Sequence, residues 1–284
     1  MLDPARRAEA AELLRAAQRD RAPVDPLATI WPEIDATDAY EIQLLNIRER
    51  VRNENVTVHG HKVGLSSTVM QQMMGVDEPD YGHLLSDMVL TEGTPVDLGR
   101  YCQPRIEVEI GYVLGRSLPG EGCTTADVLA ATEYVVPSIE LIDSRIKDWK
   151  IGIADTIADN ASSAGVLLGA ARVRPADLDP ADVAAVLYRG DEEIARGNTS
   201  AVLGDPTEAV AWLARKVASY GVRLEAGHVV LPGSCTRAVD VRPGDEFRAE
   251  LAGLGPVSIA FLRAERPPGV HSTGHRRAGN RIRH

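Results

Sequence analysis

Ten residues, Arg105-Ile-Glu-Val-Glu-Ile-Gly-Tyr-Val-Leu114, alternate apolar and charged side chains strictly from Ile106 to Ile110. That period predicts a β-strand with one buried face. Residues two apart in a strand share a side, so Glu107 and Glu109 stand next to each other, opposite Ile106, Val108 and Ile110. Carboxylates that close repel, and a shared proton, a nearby Arg or Lys, or a divalent cation must compensate them. Val135-Val-Pro-Ser-Ile-Glu-Leu-Ile142 reads as a second strand and brings a third acid, Glu140, between apolar neighbours. Three carboxylates on strands, with no thiolate beside them, suit a hard cation such as Mg²⁺ or Mn²⁺. An isolated Glu-x-Glu, however, is more often a solvated strand face.

Lys62 lies in the apolar strand segment His61-Lys-Val-Gly-Leu65, two residues before Gly64 and on its face. A glycine there lets a ligand approach the backbone closely; the alternatives for Lys62 are a pair with Glu107 or Glu109, or a stem that snorkels to water. His59 and His61 have a spacing known from metal ligands, but with no third His or Cys in place they read as ordinary partly buried imidazoles. Asp77, Glu78 and Asp80 read as loop solvation, with Asp80 ahead of Tyr81-Gly82 also placed to be pinned over a site. Asp143, Arg145 and Asp148 read as local ion pairs. Asn160, Ser162 and Ser163 read as turn chemistry, or alternatively as a hydroxyl-rich nest for an anion. The sequence contains no G-x-G-x-x-G, Walker A, G-x-S-x-G or H-E-x-x-H motif, which removes most nucleotide-binding and serine-hydrolase readings.

The elements that must position these groups are legible in outline. Helices are predicted over 4–20 and 37–52, the second with Tyr40, Leu44, Ile47 and Val51 at helical spacing and Thr37 or Asp38 as cap. A strand over 56–65 is followed by a short helix over 67–74 that Gly75 can end. The stretch Val76–Gly82 reads as a loop, residues 88–114 as strands separated by Gly and Pro, and 125–133 as a helix leading into the Glu140 strand. Residues 166–168 read as a strand and 206–220 as an amphipathic helix with Pro at its first turn and Gly221 at its end. The remainder to Leu262 reads as antiparallel strands. The fold class is therefore α+β: an N-terminal helical part (1–55), a β-rich domain (56–262) that carries the candidate site residues, and a basic tail (263–284) that lacks periodicity and reads as disordered.

Composition narrows the function. The chain has 284 residues and a net charge of −10, which argues against a general nucleic-acid binder. The tail after Leu262 holds six Arg and one Glu, so the preceding part carries 25 bases and 40 acids, or −15. An anionic substrate entering such a protein needs a local positive centre, which a bound divalent metal supplies. Three scattered cysteines without a C-x-x-C pair fit reduced thiols. No secretory leader and no apolar run near the ~20 residues of a membrane span are visible, so a cytoplasmic protein is expected.

Together, several segments resemble one family. His-Lys-Val-Gly-Leu-Ser-Ser67, Gln72-Met-Met-Gly-Val-Asp-Glu-Pro-Asp-Tyr-Gly82, Arg105-Ile-Glu-Val-Glu109 and Ile139-Glu-Leu-Ile-Asp-Ser-Arg-Ile-Lys-Asp-Trp149 stand in order, followed by Asp155-Thr-Ile-Ala-Asp-Asn-Ala-Ser-Ser163 and Ala209-Val-Ala-Trp-Leu213. From about residue 5 to 262 the chain resembles the 2-keto-4-pentenoate (2-hydroxypenta-2,4-dienoate) hydratases, grouped with the 4-oxalocrotonate decarboxylases in the fumarylacetoacetate-hydrolase-like superfamily. The resemblance implies a mixed-β, roll-like core of the fumarylacetoacetate-hydrolase C-terminal type. It implies Glu107, Glu109 and Glu140 as Mg²⁺/Mn²⁺ ligands, Lys62 and Asp80 beside the reacting substrate, and Asn160, Ser162 and Ser163 at the substrate's carboxylate end. It further implies a pentamer-based homo-oligomer and admits a pathway decarboxylase or aldolase as partner. His61, where Tyr is more usual, Asn198-Thr199 in place of a glycine-rich stretch, and the basic tail depart from the family pattern. The expected reaction is hydration of a 2-hydroxy-2,4-dienoate in meta-cleavage catabolism of aromatic compounds; the alternative is decarboxylation of 2-oxo-3-hexenedioate.

Overall fold

In the computed structural model, residues 1–263 are described. The expectation for the basic tail lies almost wholly outside them. Three helices lead: α1 (Pro4–Asp20), the single turn α2 (Leu27–Ile30) and α3 (Ala36–Asn53). Asp3 caps α1 by accepting from the Arg6 amide, with Pro4 pre-setting the first turn, and α3 opens on a reciprocal capping box between Asp35 and Asp38. Then follow β1 (Val58–Gly64), α4 (Thr68–Met74), β2 (Asp80–Leu85), β3 (Arg105–Leu114), α5 (Thr125–Ala131), β4 (Thr132–Ile142), α6 (Ile153–Ala158) and β5 (Ser163–Leu168). The last third holds β6 (Ala184–Arg189), β7 (Glu192–Asn198), α7 (Pro206–Ala218), β8 (Val229–Leu231), β9 (Val239–Asp240), β10 (Glu246–Leu251) and β11 (Gly255–Ala260).

The strands form two sheets. The larger is mixed, in the order β2-β1-β8-β3-β4-β5 with β9 added beside β3; the smaller is antiparallel, β11-β10-β6-β7. Buried side chains from Leu2, just ahead of α1, to Phe261 after β11 make one continuous core, so α1 and α3 share it with the sheets. The larger sheet curls until its two edge strands, β2 and β5, approach each other. The Asn160 side chain bridges the gap: its Oδ1 accepts from the His83 amide at 2.7 Å and its Nδ2 donates to the His83 carbonyl at 2.9 Å. One side chain thus replaces a strand neighbour and closes a half-barrel.

Two close approaches depend on glycine. A Cβ on Gly60 would overlap the Val229 carbonyl of β8, and one on Gly82 would overlap the Asn160 carbonyl. Both glycines let backbone elements meet where a side chain has no room.

Several expectations are corrected. Asp80-Tyr81-Gly82 belongs to β2 and not to a loop; its turn-type residues are tolerated because β2 pairs in register with β1, Gly64 opposite Asp80 and Lys62 opposite Gly82. Between Met88 and Arg105 the described residues contain isolated bridges at Val89 and Val96 and a 3₁₀ turn at Leu98–Arg100, with no extended strand, because Gly and Pro interrupt the pairing. The C-terminal part is not purely antiparallel, since β8 runs parallel to β1. Arg145 does not pair within its own segment: its guanidinium meets Asp159 at 2.5 Å, both buried, while Asp148 pairs with Lys150.

Candidate active site

The acids of the two central strands do converge. Glu107 and Glu140 are directly opposed across the antiparallel β3–β4 ladder, and Glu109 follows two residues on along the same face, opposite Ser138. One carboxylate oxygen from each of the three lies within 4.8 Å of the others. Glu109 and Glu140 are fully buried, and Glu107 opens partly to solvent. Their surroundings orient them: Glu109 Oε2 accepts the Gly233 amide at 2.7 Å, and Glu140 Oε1 accepts the Ser163 hydroxyl at 3.2 Å. The remaining oxygens, Glu109 Oε1 and Glu140 Oε2, have no hydrogen-bond partner.

Lys62 reaches this cluster from β1. Its buried ammonium is 3.3 Å from Glu140 Oε2 and donates to the Ala161 carbonyl at 3.0 Å. The partner is Glu140, not the Glu107 or Glu109 considered from sequence. Burial works against the lysine charge, but Glu140, then Glu107, Asp80 and Glu109, outweigh it and hold the ammonium above the ordinary lysine range. One ammonium among so many acids leaves them under-compensated. Burial is the main reason why Glu140 is pushed up to about 7, with Lys62 opposing and Glu107 adding to the rise. Glu109 is raised well above the usual carboxylate range, by burial and then by Glu140 and Glu107, and Glu107 is raised mainly by burial.

Asp80 completes the group from β2. Its Oδ2 accepts the Thr156 hydroxyl of α6 at 3.0 Å, whereas Oδ1 is buried without a partner. Burial raises its pKa, with Lys62 and Thr156 opposing. The glycine opposite, Gly64, has a different use from the one anticipated: a Cβ there would fall on Asp80 Oδ1, so the missing side chain makes room for this carboxylate.

The segment Asn160–Ser162 carries three consecutive left-handed residues without a glycine, at φ 56°, 49° and 55°. Such backbone is strained and persists only where its surroundings over-determine it. Here the Asn160 side chain is tied to β2, and the Ala161 carbonyl holds Lys62. Of the three residues expected around a substrate carboxylate, Asn160 closes the sheet, Ser163 holds Glu140, and Ser162 keeps a buried hydroxyl with no partner. His59 and His61 do not join the carboxylates: His61 and Lys62 are neighbours on β1 and point to opposite faces. Sequence reasoning missed Thr156, the Gly233 amide and the Ala161 carbonyl. The last two act through backbone, which residue type does not advertise. Gly233, at φ +126°, carried the one available signal.

The three carboxylates fit a hard divalent cation on chemistry and on geometry. Their donors are all oxygen, they come from rigid paired strands, and of the two buried oxygens without a hydrogen bond Glu109 Oε1 has nothing else to bind, while Glu140 Oε2 faces only the Lys62 ammonium. Comparison with known proteins agrees with the fold. Residues 50–261 match the family model described as Fumarylacetoacetate (FAA) hydrolase C-terminal. The chain is 42% identical over 260 residues to the 2-keto-4-pentenoate hydratase of Paraburkholderia xenovorans (strain LB400), covering 92% of this chain and 96% of the relative. It is 40% identical over 258 residues to the 2-oxo-hept-4-ene-1,7-dioate hydratase of Escherichia coli, covering 89% and 96%. Among solved structures, 4-oxalocrotonate decarboxylase from Pseudomonas putida G7, complexed with magnesium and adipate, superimposes with a TM-score of 0.88 at 34% identity, covering 92% of this chain and 99% of that one. With a matching core, an intact carboxylate triad and this coverage, the chain belongs to the fumarylacetoacetate hydrolase C-terminal family.

Proposed function

We propose that the protein is a divalent-metal-dependent hydratase, a hydro-lyase that adds water to 2-hydroxypenta-2,4-dienoate or a longer 2-hydroxy-2,4-dienoate. The product is a 4-hydroxy-2-oxo acid, in meta-cleavage catabolism of aromatic compounds. The observation that carries this reading is the buried convergence of Glu107, Glu109 and Glu140 with Lys62 and Asp80. In this reading the three glutamates hold Mg²⁺ or Mn²⁺, which when bound supplies Lewis-acid polarisation of the substrate's C2 oxygen and carboxylate.

The chain's own groups account for the proton movements. The dienol is protonated at C5 to give a 2-oxo-3-enoate, water adds at C4, and the resulting enolate takes a proton at C3. Lys62, held as an ammonium, stabilises enolate charge. Asp80 has one oxygen fixed by Thr156 and the other free, with a raised pKa, which suits a group that accepts a proton from water and returns it. Ser162 offers a hydroxyl donor to the substrate's carboxylate end.

The decarboxylase alternative needs a cation for a second carboxylate. The two arginines within the site segments are committed elsewhere: Arg145 to Asp159, and Arg105 to Asp240 at 2.7 Å with its guanidinium over the Trp149 ring. This favours the hydratase, as do the hydratase names of the more similar relatives. The reading includes a pentamer-based homo-oligomer in the cytoplasm; for the assembly, the exposed apolar row Val69, Met70 and Met73 on α4 offers a surface that a subunit contact would cover. No described helix is long and apolar enough to cross a membrane.

The test is turnover of freshly generated 2-hydroxypenta-2,4-dienoate with Mg²⁺ or Mn²⁺, run beside 2-oxo-3-hexenedioate, with products identified by mass. Metal-dependent formation of 4-hydroxy-2-oxopentanoate without CO₂ from the diacid is expected. Release of CO₂ from the diacid without hydration of the dienoate would move the protein to the decarboxylase branch. Near-wild-type turnover by Lys62→Met and Asp80→Asn would remove the roles assigned to those residues.

A further inference from the structure

The opposite face of the same strands holds a second group of polar side chains that the proposed reaction does not use. His61 pairs across the β1–β2 ladder with His83, and both point away from Lys62 and Asp80. His228, just before β8, joins them: the His61 ring centroid is 4.7 Å from that of His83 and 5.7 Å from that of His228. The three rings line a pocket of about 610 Å³ between α3 and the segment after α7, within the ordinary range for small-molecule sites.

Two features of the pocket ask for a ligand. His61 is fully buried, yet neither its Nδ1 nor its Nε2 has a hydrogen-bond partner. A neutral imidazole left this way forfeits one donor and one acceptor. At the exposed rim stand Arg48, Arg52 and Arg223, with Glu225 as the single acid of the lining. None of the three arginines forms an ion pair among the described residues, whereas neighbouring Arg50 is held by Glu54 and Asp87. A cationic concavity is the exception on a chain of net charge −10. Between rim and floor the wall is apolar, built by Leu44, Ile47 and Val58. The rings do not converge on a point as metal ligands would: among the described residues only the glutamate triad does so.

We infer that this pocket binds a small organic acid with an apolar body and a distal hydroxyl, its carboxylate at the arginine rim and its hydroxyl on His61. A hydroxyl can donate or accept, so it can satisfy whichever of the two free ring nitrogens faces the pocket, in either tautomer of the neutral imidazole. The carboxylate matches planar guanidinium donors, and the flat hydrocarbon body matches the wall between them. Burial holds His61 well below the ordinary histidine range, with His83 and His228 adding to the effect, so the ring meets the ligand uncharged.

The test is calorimetric titration of the full-length, metal-loaded protein with 4-hydroxybenzoate. Saturable binding is expected, weakened tenfold or more in the Arg48→Gln/Arg223→Gln variant and in His61→Phe, and weakened likewise for benzoate and 4-hydroxybenzamide with the wild type. The arginines lie on the surface, so their replacement leaves the fold intact even if His61→Phe does not fold. Absence of saturable binding at millimolar acid overturns the inference. Equal affinity in the arginine variant also overturns it.

Discussion

Glu107 and Glu140 face each other directly across β3 and β4, two carboxylates in a cross-strand pair. Opposed like charges weaken a ladder, and here Glu109 adds a third on the same face. A cation that ties the three together should therefore strengthen the sheet itself.

The first prediction follows from that pair. Addition of Mg²⁺ or Mn²⁺ to chelator-treated protein is expected to raise its melting temperature, by about 2.7 kcal/mol of stability at a hundredfold excess over Kd. Glu140→Gln should abolish most of that response. Equal metal-induced shifts in wild type and Glu140→Gln, read by scanning calorimetry, would count against the triad as the metal site.

Gly64→Ala tests the space reserved for Asp80. Its methyl would displace Asp80 Oδ1, so turnover should fall by a factor on the order of 100, the scale of losing a positioned acid–base group. The metal-induced rise in melting temperature should persist. Steady-state kinetics set beside thermal shift separates the two effects; unchanged turnover would show that Asp80 tolerates displacement.

Asn160→Ala removes both hydrogen bonds to the buried His83 backbone. The expected cost is about 2–4 kcal/mol, because two buried main-chain groups lose their partners. Asn160→Asp keeps the acceptor and loses the donor, and should fall between. Urea unfolding measures this, and KM on the same variants asks whether Asn160 also touches substrate. A rise in KM with no loss of stability would reverse the assignment made from the geometry.

His83 gives a pH dependence with a definite sign. Burial, the main cause, holds it down to about 4 against the ordinary histidine value of 6.5, with His228 and Arg48 adding smaller effects. Between those values the unfolded chain binds the proton and the folded chain does not, so stability is full above 6.5 and is lost as pH falls toward 4. This group alone should cost about 2 kcal/mol between pH 7 and pH 5. Other groups titrate in the same range, so the difference between wild type and His83→Gln isolates it. Parallel stability–pH curves for the two proteins would show that His83 is not held neutral.

Much of this was legible in the sequence. Alternation from Ile106 to Ile110 placed Glu107 and Glu109 on one face, and the apolar frame of Glu140 placed it in a strand; both follow from local periodicity. What lay hidden depends on distant segments meeting. Asp80 reads as a turn residue because nothing local says that Gly64 will lie opposite it. Arg145 reads as the partner of Asp143, since the fold alone brings Asp159 to it. Asn160 looks like any turn asparagine until the sheet curls and its amide meets the His83 backbone.

The tight spots at Gly60, Gly64 and Gly82 also bear on how the chain finds its native pairing. A one-residue slip of β1 would turn His61 toward the carboxylates and bury Lys62 on the other side. The same slip would drive the Cβ of His59 or His61 into the Val229 carbonyl, where only Gly60 fits. A two-residue slip fares no better, since it brings Val58 or Lys62 to that spot. Gly60 thus serves as a proofreading device, rejecting the misaligned strands that would set an imidazole where the Lys62 ammonium belongs.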